Sequence, residues 1–154
     1  MKSLKWGMSF ACAVGLLGAS SASAAEFATK DEAVAMVKKA VAFIKQSGVN
    51  NAYSEFTKKN ADFVNRDLYV VVYGLNGKVL AHGANQKLVG QEMMDAQDVD
   101  GKYFVKERVE LARSKPNFWQ DYKFVNPTNK KIEPKQMYCE RLEETAVCAG
   151  VYKI

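Results

Sequence analysis

His82 is the only histidine of the 154-residue chain, and it closes the apolar run Lys78-Val79-Leu80-Ala81-His82. A neutral imidazole near pH 7 can act as base, acid or ligand. One histidine without an Asp, His or Cys cluster at ligand spacing does not define a metal site, so ligand contact and plain strand-end structure are its two readings. Further on, the segment Phe118 to Val125 is aromatic-rich and reads as a strand. Alternation places Phe118, Gln120, Tyr122 and Phe124 on one face and Trp119, Asp121, Lys123 and Val125 on the other. Aromatic walls with the Tyr122 hydroxyl and the Gln120 amide suit a small polar ligand; the same rings suit a core. Lys135, beside Pro134 at the start of the next strand, stands where a cation could meet a carboxylate. Tyr138 lies on that strand too, but alternation turns it to the opposite face, and only a bulge or bend would let both line one pocket.

Other chemistries find no support. There is no Gly-x-Ser-x-Gly turn, no Cys-x-x-Cys pair and no haem attachment motif. Asp98-Val99-Asp100-Gly101 lacks the spaced oxygen ligands and closing glutamate of a calcium loop and reads as helix capping. No catalytic residue, metal or cofactor is expected. An enzyme would have to work through His82.

Lys2 and Lys5 precede an uncharged run from Trp6 to Ala19, and Ala22-Ser23-Ala24 follows with a small-x-small pattern. This predicts a signal peptide over residues 1–24, cleaved after Ala24, and a periplasmic or secreted protein. The run is short of the roughly 20 residues that span a bilayer. Cys12 leaves with the leader, and residues 25–154 are enough for one domain with a core. The formal charge of +5 comes from 22 basic and 17 acidic residues with signs interspersed, which does not suggest nucleic-acid binding. In an oxidising compartment the two remaining cysteines, Cys139 and Cys148, should pair. Their midpoint coincides with that of Glu143-Glu144. A two-residue loop there makes them a non-hydrogen-bonded cross-strand pair, close to the Cα separation of a disulfide.

These residues need elements to position them. Leu68 to Tyr73 is an unbroken strand-forming run, buried on both faces and so central in its sheet. Asn76-Gly77 supplies a hairpin turn to the second strand. Upstream, Thr29-Lys30-Asp31-Glu32 has the form of a capping box, and the apolar residues from Ala33 to Ile44 recur at helical spacing, with a stop near Ser47-Gly48. Asn50 or Asn51 can cap a shorter helix carrying Ala52, Tyr53 and Phe56. Gly83 to Asp98 is a turn-rich connection. Asp98 or Asp100 then caps a helix through Ser114, with Tyr103, Phe104, Val105, Val109, Leu111 and Ala112 as its buried side and Pro116 as its end. Pro134 suggests a strand beginning beside or just after it; Lys135 to Arg141 and Ala146 to Tyr152 are the last two. The order predicts an α+β domain with a five-stranded antiparallel sheet.

The succession Leu68-Tyr69-Val70-Val71-Val72-Tyr73, Asn76-Gly77-Lys78-Val79-Leu80-Ala81-His82, Leu88-Val89-Gly90 and Asp98-Val99-Asp100-Gly101-Lys102-Tyr103 resembles a single Cache domain of the second type. The resemblance continues through Tyr122, Asn126-Pro127, Lys135 to Tyr138 and Ala149-Gly150-Val151-Tyr152. It implies a PAS-like five-stranded sheet, a long N-terminal helix on one face and a small-molecule pocket on the other. Such domains are extracytoplasmic sensors of chemoreceptors and histidine kinases, several of them associated with small carboxylates. No transmembrane helix or signalling module of the usual kind is expected after the last strand. The expected function is therefore non-catalytic binding of a small carboxylate by a stand-alone domain, through His82, Gln120, Tyr122, Lys135 and Tyr138. A membrane receptor or histidine kinase would be its downstream partner, and after leader cleavage nothing is membrane-embedded. If an imidazolium at His82 helps, affinity should rise as pH falls. The rival expectation is a secreted protein that docks on a membrane receptor without a specific small molecule.

Overall fold

The computed structural model describes residues 27–152; the predicted leader and its cleavage point lie outside the described residues. Helix α1 (Lys30–Ser47) begins at the predicted capping box, with Thr29 and Glu32 each accepting the other's backbone amide. Gly48, at a φ of 80°, ends α1 and directly opens α2 (Val49–Thr57). The chain thus turns before Asn50 and Asn51, and neither serves as the cap. The strands are β1 (Val64–Asn65), β2 (Leu68–Gly74), β3 (Val79–His82), β4 (Asn117–Val125), β5 (Ile132–Leu142) and β6 (Thr145–Tyr152), with α3 (Phe104–Ser114) between β3 and β4. The sheet runs β1-β2-β6-β5-β4, with β3 also on β2, and every pairing is antiparallel. The five predicted strands are all present. The sixth, β1, is a two-residue strand too short to carry a periodic signal.

Each face of the sheet is covered. Ala33, Val37, Ala40 and Ile44 of α1, with Phe56 of α2, pack on Val70, Val72, Val147 and Ala149. On the opposite face Tyr69, Val71, Tyr73, Met137 and Tyr152 meet Val105 and Val109 of α3 and the two methionines of the 83–103 connection. Every residue of β2 is buried, as its unbroken apolar run predicts.

Asp98 does not cap α3, whose N-cap position is Tyr103. Its carboxylate instead accepts the amides of Asp100, Lys102 and Lys123. This fastens the connection to the outer edge of β4, and a side chain spent in this way cannot cap a helix that starts at Phe104. Pro134 lies inside β5, opposite Lys123, because pairing with β6 begins only at Lys135↔Tyr152 and no ladder donor is needed there. Buried Asp67 accepts the amides of Ala28 (2.8 Å) and Tyr152 (3.4 Å), holding the approach to α1 against the end of β6.

The last hairpin has the predicted register. Leu142 pairs with Thr145 and Cys139 with Cys148, and the two cysteines form a disulfide with Cα atoms 4.1 Å apart. Neither cysteine is expected to react in a thiol titration of the native protein. Reduction should lower unfolding stability by about 2–3 kcal/mol from chain entropy, measured as the shift in denaturant midpoint with and without reductant.

Candidate ligand-binding site

The face beneath α3 gathers charge. Lys135 starts on β5, yet its side chain crosses β6 to reach β2. The crossing is possible because β6 carries Gly150, where an added Cβ would stand 2.9 Å from Lys135 Cε and 2.7 Å from the Gln136 carbonyl oxygen. Lys135 Nζ donates to the hydroxyls of Tyr69 (2.8 Å) and Tyr152 (3.3 Å) and lies 4.0 and 4.6 Å from the centres of those rings. Ring faces attract a cation. Burial nonetheless pulls the pKa of this 1 % exposed lysine well below its ordinary value, with Arg108 adding to the effect and Asp67 opposing it. Gly150→Ala should therefore displace Lys135. The expected cost is about 1–3 kcal/mol of stability from overpacking, together with weaker ligand binding, read by thermal unfolding and calorimetry on the same variant.

His82 reaches this face through a bulge. Val72 pairs with Ala81 and Tyr73 with Val79, which leaves Leu80 as the extra residue and switches the alternation. The imidazole Nδ1 accepts the amides of Ala84 (3.3 Å) and Asn85 (3.0 Å), so the ring proton is on Nε2. Burial, then Lys135 and Arg108, hold the pKa of His82 down to about 3. The ring is neutral through the physiological range. A gain in affinity carried by an imidazolium at His82 would therefore require a pH below the physiological range.

Arg108 was not among the residues singled out from sequence. It is fully buried on the sheet side of α3, with its guanidinium 4.8 Å from the Tyr73 ring centre and 5.0 Å from that of Tyr122. Nε donates to Gln120 Oε1 (3.0 Å), while Nη1 and Nη2, close to the Tyr122 hydroxyl, make no well-formed hydrogen bond among the described residues. A buried donor without an acceptor costs about 1–3 kcal/mol, and more when charged. These two nitrogens form the flat fork that matches a carboxylate.

Of the sequence candidates, His82, Gln120, Tyr122 and Lys135 share this face. The Gln120 amide is fully engaged, with Nε2 donating to the Phe104 carbonyl (2.7 Å) and Glu107 Oε2 (2.6 Å), so it holds Arg108 in place. Tyr122 stacks on Phe104 with ring centres 4.9 Å apart, and burial raises its pKa, keeping the hydroxyl protonated. Tyr138 is not brought to them. The β5 register runs without a bulge, so Tyr138 stays on the α1 side, packed with Trp119 and donating to Glu140 (2.9 Å). Tyr69, Tyr73 and Tyr152 join the site instead. Among the described residues no group of three His, Cys, Asp or Glu is placed to hold a metal ion, and no helix is long and apolar enough to cross a membrane.

The central β6, the helix pair behind the sheet and the basic face beneath α3 define a PAS-like α+β domain. The chain belongs to the single Cache domain 2 family, whose pattern matches residues 18–152. Its fold is shared by a methyl-accepting chemotaxis protein from Vibrio parahaemolyticus, at 21% identity and a TM-score of 0.70, with 80% of this chain and 87% of that one covered. A Cache chemosensory domain described for its carboxylic acid recognition aligns at 20% identity and a TM-score of 0.71, covering 80% and 92%. The periplasmic sensor domain of a chemotaxis protein aligns at 20% identity and a TM-score of 0.65, covering 80% and 90%. No curated protein matches the chain.

Proposed function

We propose that this protein is a non-catalytic, extracytoplasmic binding domain for a small organic acid. Its working unit would be residues 25–154 after removal of the leader, and its output would pass to a membrane receptor or histidine kinase. The observation that carries this reading is the buried Arg108 fork, whose terminal nitrogens make no well-formed hydrogen bond among the described residues. A carboxylate would supply two acceptors at once in a bidentate, charge-assisted contact. Lys135 supplies a second cation and His82 a neutral Nε2–H donor, with tyrosine and phenylalanine rings as apolar walls. The carboxylic acid recognition described for one structural neighbour supports the same class of ligand. The test is calorimetric titration of the mature protein with short carboxylates and, in parallel, their uncharged amides. Saturable binding of acids but not amides is expected. Absence of binding by every acid overturns the reading.

A further inference from the structure

Two phenylalanines of the site have a second side. Inward, Phe104 lies 5.6 Å from the Arg108 guanidinium, while Phe124 is 6.0 Å from Lys135 Nζ and 6.4 Å from the His82 ring centre. The two rings meet edge to face, 5.9 Å apart. Outward, both line a cleft of about 210 Å³ that continues over Met93, Ala96, Val99 and Ile132. Its acidic neighbour, Asp98, has its oxygens occupied by three backbone amides and offers little to a cation. Lys123 is paired with Asp100. At the rim, Val99 is 60 % and Ile132 52 % exposed. Apolar side chains held at the mouth of an apolar cleft gain free energy when an apolar group covers them.

We propose that the ligand is an amphipathic carboxylic acid, with its head on Arg108 and its apolar tail passing Phe104 and Phe124 into this cleft. This rests on the carboxylate reading of the Arg108 site and goes beyond it by assigning the tail. The volume equals roughly seven water-sized groups at ~30 Å³ each, enough for a chain of several methylenes. A two-carbon acid could satisfy Arg108 but would leave the cleft to water.

The experiment is calorimetric titration of the mature protein with acetate, butanoate, hexanoate and octanoate. Affinity should tighten by about fourfold per methylene, the worth of one buried CH₂, until the cleft is filled. The double variant Val99→Ser/Ile132→Ser changes only exposed positions and should keep the fold. It is expected to weaken octanoate by about tenfold and acetate by less than about twofold. Acetate binding as tightly as octanoate, or octanoate binding unchanged in the double variant, overturns the tail cleft and leaves the carboxylate head site standing. Failure of all four acids overturns the head site itself, and the tail assignment with it.

Discussion

Replacing Arg108 with leucine is expected to weaken carboxylate binding at least about a hundredfold. Each hydrogen bond to a charged group contributes about 1.5–3 kcal/mol, and the fork offers two, so the loss exceeds two decades at ~1.4 kcal/mol per decade. Calorimetry with the best acid of the panel checks it. Arg108→Lys keeps the charge and removes the fork, so it should recover little of the affinity. Recovery to within about threefold of wild type would mean that charge alone, and not bidentate geometry, holds the ligand. Circular dichroism on both variants separates lost binding from lost fold.

Lys135→Met should have two opposite effects, weaker binding and higher stability. One charge-assisted contact of about 1.5–3 kcal/mol corresponds to a roughly ten- to hundredfold loss of affinity. Tyr122→Phe keeps the stacked ring and should cost less. For stability, the folded-state pKa of Lys135 lies well below that of the unfolded chain, chiefly through burial. Between those two values the unfolded state binds more protons, so wild-type stability rises with pH as the solution approaches the ordinary lysine pKa. Methionine carries no such penalty. The variant should be more stable at neutral pH, and its advantage should shrink toward pH ~10.5. Denaturant unfolding of both proteins from pH 7 to 10 measures the gap. A variant less stable than wild type at pH 7 would show that the tyrosine cage outweighs desolvation.

The helices, hairpins and disulfide were readable because each has a local cause: a capping box at Thr29, Asn76-Gly77 at a turn, and equal spacing of Cys139 and Cys148 about Glu143-Glu144. The site was only half readable, because it depends on side chains that travel. Lys135 could be placed on its face by alternation. Its crossing to Tyr69 could not, although a glycine in an otherwise apolar strand at Gly150 was the available signal. Arg108 carries no motif that marks it in the sequence. It nevertheless occupies the buried stripe formed by Phe104, Val105, Val109 and Ala112, and an arginine on such a stripe has no water to face. His82 lies on the same face as Lys135 and Arg108, but its protonation state depends on those two residues, which only the tertiary structure brings near. Tyr138 was included through family resemblance, although alternation already pointed it to the other side.

The position of β6 has a kinetic consequence. It comes last among the elements but lies between β2 and β5, so a nascent chain emerging from its N-terminus first holds two separate hairpins, each with an unpaired inner edge. Isolated hairpins are marginal in water. The arrival of residues 145–152 joins them. It delivers Cys148 to Cys139, Gly150 to the path of Lys135, and the Tyr152 hydroxyl to the lysine cage. Pairing of β6 with the distant β2 is the slow step expected of such a topology, and the candidate site cannot mature before the sheet. A chain shortened by this strand would therefore lose binding and structure together, however intact the proposed ligand contacts on α3 and β4.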